Sequence, residues 1–179
     1  MGKSIGMVEL SSIARGIETS DYMVKAAQVD LVRSSTVCPG KYMIIVAGYT
    51  GDVKAAMKEG LERGREYVVD SLQISNVHEQ LIPALSGTVE IEQPGAVGVI
   101  EFYSVASAIL AADEAAKAAQ ITLIEVRTGF AIGGKGYVTL TGDVGAVRAA
   151  VAAATMNKDL FVGSTVIPRP SPQVFQSLL

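Results

Sequence analysis

Few side chains in this sequence are equipped for chemistry, and the most conspicuous is a lone thiol. Cys38 stands in STVCPGKY (Ser35 to Tyr42), directly before Pro39 and Gly40. A thiolate at such a place can ligate a soft metal, although most free cysteines are small buried apolar residues. The position before Pro-Gly weighs against burial, because turns usually lie at the surface. The only histidine is His78, which reads as a surface or edge residue rather than a ligand. One Cys and one His exclude an intrachain disulfide, and no single chain can assemble a Cys/His metal site from them. Glu9 and Glu101 are carboxylates on expected strands. No paired acid, histidine base or nucleophile accompanies them, so no catalysis is assigned. Gly129 and Gly134-Lys135 meet the GxxxxGK spacing of a phosphate loop. Gly136 occupies the place of its Ser or Thr, however, and a strand is expected to follow in place of a helix. Gly133 to Gly136 therefore reads as a turn that needs close backbone approach. Lys41 and Lys135 read as strand-opening residues with solvated side chains; the alternative is a positive field that favours anions.

The elements that position these residues are written twice. Shifted by 92, IGMVELSSIARGIETSDYMVKAAQVDL from Ile5 falls on VGVIEFYSVASAILAADEAAKAAQITL from Val97. Gly6 meets Gly98, Glu9 meets Glu101, Asp21 meets Asp113, and Lys25-Ala26-Ala27-Gln28 meets Lys117-Ala118-Ala119-Gln120. A two-residue insertion then brings Gly40-Lys41 onto Gly134-Lys135, and near the end Ile74 meets Ile167. Two copies make a tandem domain and not a solenoid, which needs three or more. The boundaries expected are 1–88 and 95–179, with a linker at 89–94.

Periodicity gives one copy as β-α-β-β-α-β. Strands are expected at Ile5 to Leu10, Val29 to Ser34, Lys41 to Ala47 and Glu66 to Ile74, with a turn over Thr36 to Gly40. The first helix carries Ile13, Ile17, Ser20, Val24 and Ala27 at steps of four and three, so one face of it reads as apolar. Asp21 and Lys25 lie four apart in a favourable ion-pair order. Val53, Met57 and Leu61 mark the second helix, and a short helix is expected around His78 to Leu85. The fold class is α+β: two tandem ferredoxin-like domains, each with helices on one face of a mainly antiparallel sheet.

Composition narrows the function. Hydrophobic residues make up 49% of the 179 and charged residues 18%, which excludes disorder. Domains of about 90 residues cannot hide so much apolar surface alone, so subunit contacts are expected. A net charge of −3 and the absence of Trp argue against a nucleic-acid partner. The start MGKSIGMVEL reaches Glu9 before a signal-peptide core develops, and Gly6 occupies the sixth position where myristoylation favours Ser or Thr. No apolar run is long enough to span a membrane. The expectation is a cytoplasmic protein.

DYMVKAAQVDLV, GDVGAV (Gly142 to Val147) and VIPRP (Val166 to Pro170) together resemble bacterial microcompartment shell proteins. Two copies in one chain resemble the tandem-domain, trimer-forming branch. STVCPGKY and GFAIGGKGY (Gly129 to Tyr137) further resemble the propanediol-utilisation members, whose pore carries an iron–sulfur cluster. The resemblance implies a homotrimeric, pseudohexameric tile that joins other shell proteins edge to edge in the microcompartment shell, with a redox enzyme of the compartment as a further partner. It implies pore loops containing Val37, Cys38, Pro39, Gly40 and Lys41 in one copy and Phe130, Gly133, Gly134 and Lys135 in the other. Lys25, Lys117 and Arg169 match the family's edge residues. Asn76 and His78 stand where the first copy lacks the arginine, which implies unlike contacts on alternating sides of the tile.

With a threefold axis through the first loop, three copies of Cys38 would meet. A 4Fe–4S cluster held so, one per trimer, would keep one iron without a Cys ligand. The second copy has Phe130 at the aligned place, so three of six domain copies could provide a thiolate. Zinc or another soft metal is the competing occupant. Two other functions stay open: a gated metabolite pore with a plain thiol at its mouth, and a small-molecule-binding regulatory trimer.

Overall fold

The computed structural model describes residues 3–91, 95–156 and 160–178. Met1 and Gly2 of the expected N-terminus and residues 92–94 of the expected linker lie outside the described residues. The chain divides into two compact units, Met1–Val77 and His78–Leu179.

The first unit runs β1 (Ser4–Leu10), α1 (Ile13–Ala26), β2 (Val29–Val37), β3 (Lys41–Gly48), α2 (Thr50–Gly64) and β4 (Val68–Ile74), with a 3-10 turn at Arg65–Tyr67 before β4. Its sheet order is β2-β3-β1-β4, and every neighbouring pair is antiparallel. Each helix thus links two parallel strands that have a third strand between them, the split β-α-β arrangement of the ferredoxin-like pattern. β2 is longer than the alternation suggested. Ser35, Thr36 and Val37 continue the ladder opposite Met43, Tyr42 and Lys41, which shortens the turn to Cys38, Pro39 and Gly40. β-branched Thr36 and Val37 suit that extension.

The core lies between one sheet face and both helices. Val8 and Leu10 from β1, and Tyr42, Ile44 and Val46 from β3, pack with Met23, Val53, Ala56 and Met57. Period-two burial fixes this register, since a slip of one residue would turn each strand over. Ile5, Met7, Met43 and Ile45 on the opposite face are also fully buried.

The apolar stripe of the first helix is not its buried face. Its buried residues are Gly16, Thr19 and Met23, while Ile13, Ile17 and Val24 are exposed. Tight packing selects the small residue for the inside: a Cβ on Gly16 would come 2.5 Å from Tyr42 Cβ. Leu61 of α2 is likewise exposed, and Gly60 occupies the buried place beside Met23. Ser12 caps α1 by accepting from the Arg15 N–H. Gly16→Ala would gain about 1 kcal/mol of helix propensity in an open helix. Here it meets a side-chain atom next to the backbone, so the expected net effect is a loss of about 1–3 kcal/mol, read from the denaturant midpoint.

The second unit begins with α3 (Leu81–Ser86) and continues β5 (Ala96–Phe102), α4 (Val105–Ala118), β6 (Thr122–Thr128), β7 (Gly136–Gly142), α5 (Val144–Thr155), β8 (Phe161–Ile167) and α6 (Pro172–Gln176). Its sheet order, β6-β7-β5-β8, repeats the first. The irregularities repeat as well. Ladder shifts occur at Glu9/Leu10 and Glu101/Phe102, and at Leu31/Arg33 and Leu123/Glu125. Duplicated bulges are a stronger sign of tandem origin than duplicated strands, because a bulge needs one particular local register. Residues 78–88, which the repeat assigns to the first copy, pack as part of the second unit.

Candidate functional site

The β2–β3 hairpin presents Cys38 at its tip. Val37 is buried and pairs with Lys41, and between them run the half-exposed Cys38 and the exposed Pro39 and Gly40. The Cys38–Pro39 bond is cis. Gly40 has φ +78°, and a Cβ on it would meet nothing within 4 Å. The turn therefore opens outward, and left-handed backbone rather than crowding asks for glycine. The thiol is free, which sets aside the reading of Cys38 as a sealed core residue.

The matching β6–β7 hairpin closes at Thr128 and Gly136 and leaves seven residues, 129–135, in its loop. Phe130 is 61% exposed, the loop's large apolar group. Gly129, Ala131, Gly133 and Gly134 all have φ between +60° and +80°. β7 begins at Gly136, so a strand follows the Gly-Lys pair.

Both hairpins are anchored by the carboxylates that had no assigned role. Glu9 faces Met43 across β1 and β3, which puts Lys41 on the diagonal of the same sheet face. Lys41 Nζ lies 2.5 Å from Glu9 Oε1, with that glutamate side chain 5% exposed. No hydrogen bond of regular geometry reaches Glu9 Oε1, so the contact is an ion pair. The second unit repeats the diagonal: Lys135 Nζ donates to Glu101 Oε1 at 2.8 Å. This bond holds the Lys135 ammonium above the usual lysine range, and the Tyr103 ring lies 5.4 Å from it. Both lysines are thus ion-paired as well as partly solvated, Lys41 less than Lys135. The repeated Glu at equal strand positions carried the signal, but only the register shows which lysine it meets.

The edge candidates fall into unlike surroundings. Lys25 is exposed and donates to Asp21, and that hydrogen bond raises its pKa. Lys117 donates to Asp113 at 2.6 Å, and that carboxylate is buried. Asp113 also accepts the His78 backbone N–H at 2.7 Å. His78 is half-buried, and its Nδ1 accepts from the Gln80 N–H. Asn76 is exposed with φ +54°, and Arg169 is exposed beside a cavity of about 630 Å³ lined by Pro168, Pro170 and Phe175.

Sequence reading missed a polar cluster on β6 and β7. Arg127 Nε lies 2.6 Å from Glu125 Oε1, and Tyr137 Oη donates to Glu125 Oε2 at 3.3 Å. Burial, then the Glu125 charge, pushes the Tyr137 phenol above its ordinary range. The cluster lines a cavity of about 340 Å³ together with Val89, Ile124 and Leu178. Its only sequence trace is the alternation of Glu125 and Arg127 opposite a tyrosine.

Among the described residues, no group of three or more His, Cys, Asp or Glu side chains could hold a metal. None of the described helices is long and apolar enough to cross a membrane. Two tandem units repeat one α+β plan, each with a hairpin tip. The family comparison agrees: a BMC domain model matches residues 4–77 and again 96–170. The chain belongs to the bacterial microcompartment shell protein family, whose members are structural and not enzymes.

Some relatives are similar over the full length and others over about half of the chain. The bacterial microcompartment shell protein PduT of Citrobacter freundii is 41% identical, with 100% of this chain and 99% of that protein covered. The carboxysome shell protein CsoS1 of Prochlorococcus marinus is 36% identical over 48% of this chain and 85% of its own. The crystal structure of a microcompartments protein from Desulfitobacterium hafniense DCB superposes with a TM-score of 0.95 at 44% identity, covering 98% and 99% of the two chains.

Proposed function

We propose that three copies of this chain close into a pseudohexameric tile around a threefold axis, and that their three Cys38 thiolates hold an iron–sulfur cluster there. The observation that carries this reading is the free thiol of Cys38, half-exposed at the tip of an open three-residue turn. Among the described residues one chain holds no metal-ligating group of three, so a cluster on Cys38 would draw its thiolates from several copies. The residues fit the group. Cys38 offers one soft donor per chain, Gly40 leaves the tip unobstructed, and backbone N–H groups of such a turn can hydrogen-bond sulfur. The Glu9–Lys41 ion pair stiffens the hairpin base and positions the thiol.

When bound, the cluster supplies one-electron chemistry, which serves electron transfer across the shell or cluster supply inside it. The tile's partners are other shell proteins at its edges, where Lys25, Lys117, Asn76, His78 and Arg169 are placed, and a redox enzyme of the compartment. Phe130 and the Gly133–Lys135 segment line the same pore from the alternate loops.

The test is anaerobic purification followed by iron and sulfide analysis. The expected content is about four of each per three chains, with brown colour. Zinc in their place, or metal-free protein at full thiol titre, overturns the cluster and leaves the gated pore with a plain thiol.

A further inference from the structure

The first turns of α1, the end of α2 and the 3-10 turn that follows it enclose a polar cleft of about 210 Å³, lined by Arg15, Glu18, Arg63, Arg65, Glu66 and Tyr67. Three of the chain's seven arginines thus meet in one place. Two of them are positioned by neighbours on both sides. Arg15 Nη1 donates to Glu18 Oε2, and its guanidinium lies 5.7 Å from the centre of the Tyr67 ring. Arg63 Nε donates to Glu59 Oε1, and its guanidinium lies 4.2 Å from the centre of the Tyr22 ring. A guanidinium carries five N–H donors in a fixed fork, so each of these hydrogen bonds uses one donor and leaves others for a further acceptor.

Arg65 stands there against the preference of its backbone. It ends α2 with φ +47°, a conformation that favours glycine, and its N–H donates to the Leu61 carbonyl. Its side chain is exposed, and among the described residues no ion pair holds it. The second unit has other residues at these places. At a shift of 92, Arg15 becomes Ser107 and Glu18 becomes Leu110. Tyr67 and Leu160 hold equal places, since their carbonyls accept from the Ser11 and Tyr103 N–H groups. The fold therefore does not require the cleft, and its arginines belong to the repeat that carries Cys38. They sit at the Cys38 end of that sheet: Leu10 pairs with Tyr42 at the foot of the hairpin, and the next residue, Ser11, bonds to Tyr67. At 3.6 residues per turn, Arg15, Glu18 and Tyr22 lie on the side of α1 turned away from Ile13, Ile17 and Val24, so a contact over that apolar stripe does not bury the cleft.

We infer that this cleft binds a phosphate group. Three guanidinium forks converge on it from three chain positions. A tetrahedral oxyanion offers an oxygen to each of them, whereas a carboxylate offers two. Three arginines against two glutamates leave the lining with a net positive charge, which favours an anion. The volume lies below the roughly 300–1,000 Å³ of pockets that enclose a drug-sized ligand. The occupant is therefore inorganic phosphate or the phosphoryl group of a small ester, and not a whole nucleotide. Binding here needs no iron–sulfur cluster, so it holds or fails separately from the role given to Cys38.

Calorimetric titration of the full chain with inorganic phosphate, in a chloride buffer of constant ionic strength, tests it. Wild type is expected to bind phosphate saturably, one per chain. Arg65→Gly removes the guanidinium and suits the backbone. Its urea midpoint is expected not to fall, while phosphate binds at least about tenfold more weakly. Arg15→Gln is expected to weaken binding likewise. Lys58→Gln removes an exposed cation of α2 outside the cleft and is expected to stay within about twofold of wild type. Methyl phosphate separates the two sources: binding as tight as that of inorganic phosphate supports the site and assigns it to phosphate esters, and weaker binding supports the site and assigns it to the free ion. No saturable binding, acetate binding as tight as phosphate, or undiminished binding in Arg65→Gly and Arg15→Gln overturns the inference. An equal loss in Lys58→Gln overturns it as well, because diffuse charge would then account for the attraction.

Discussion

Cys38→Ser is expected to remove all iron and sulfide from anaerobically purified protein while the assembly keeps its mass. The size of the effect follows from symmetry. At the proposed threefold axis, a substitution in one gene removes every thiolate, because each chain carries a single Cys. A serine hydroxyl is a poor ligand for iron at neutral pH, where a thiolate is a good one. Stability should scarcely move, because the side chain is half-exposed and the turn around it open. Phe130→Ala in the other loop serves as the control and is expected to leave iron content unchanged. Full iron in Cys38→Ser would show that some other group holds the metal.

The second large effect concerns the ion pair beneath the thiol. Lys41→Met leaves the Glu9 carboxylate buried with its cation gone, and breaking a buried pair from one side costs about 3 kcal/mol. The matched change Lys135→Met is expected to cost much less, because Glu101 and Lys135 are each about one-third exposed and water replaces the lost partner. The double variant Glu9→Leu with Lys41→Met should recover most of the loss, since removing both charges removes the orphan. Urea midpoints for the four proteins decide it. Equal losses for Lys41→Met and Lys135→Met would mean that burial does not set the strength of these pairs.

The sequence made the architecture legible because duplication doubles the evidence. Each strand and helix was indicated twice, and GDVGAV, KAAQ and VIPRP tied the order to one family. The site was less legible. Cys38 could be placed in a turn from Pro39 and Gly40, but the partners of Glu9 and Glu101 depend on which strands pair and in what register. The buried face of α1 was not legible, for a physical reason. Periodicity finds the apolar stripe, and on α1 that stripe points outward. Gly16, Thr19 and Met23 give a weaker apolar signal than Ile13, Ile17 and Val24, yet they are the inside. Small residues are selected where backbones approach closely, and hydropathy does not record closeness.

The segment beginning at His78 has a consequence for any division of the chain. What repeats in the sequence does not coincide with what packs as one unit: the second unit takes in residues 78–88, the last eleven of the expected first repeat. Splitting the gene at its linker would therefore strip Asp113, Ile121 and Leu123 of their covering residues and leave two unfinished halves.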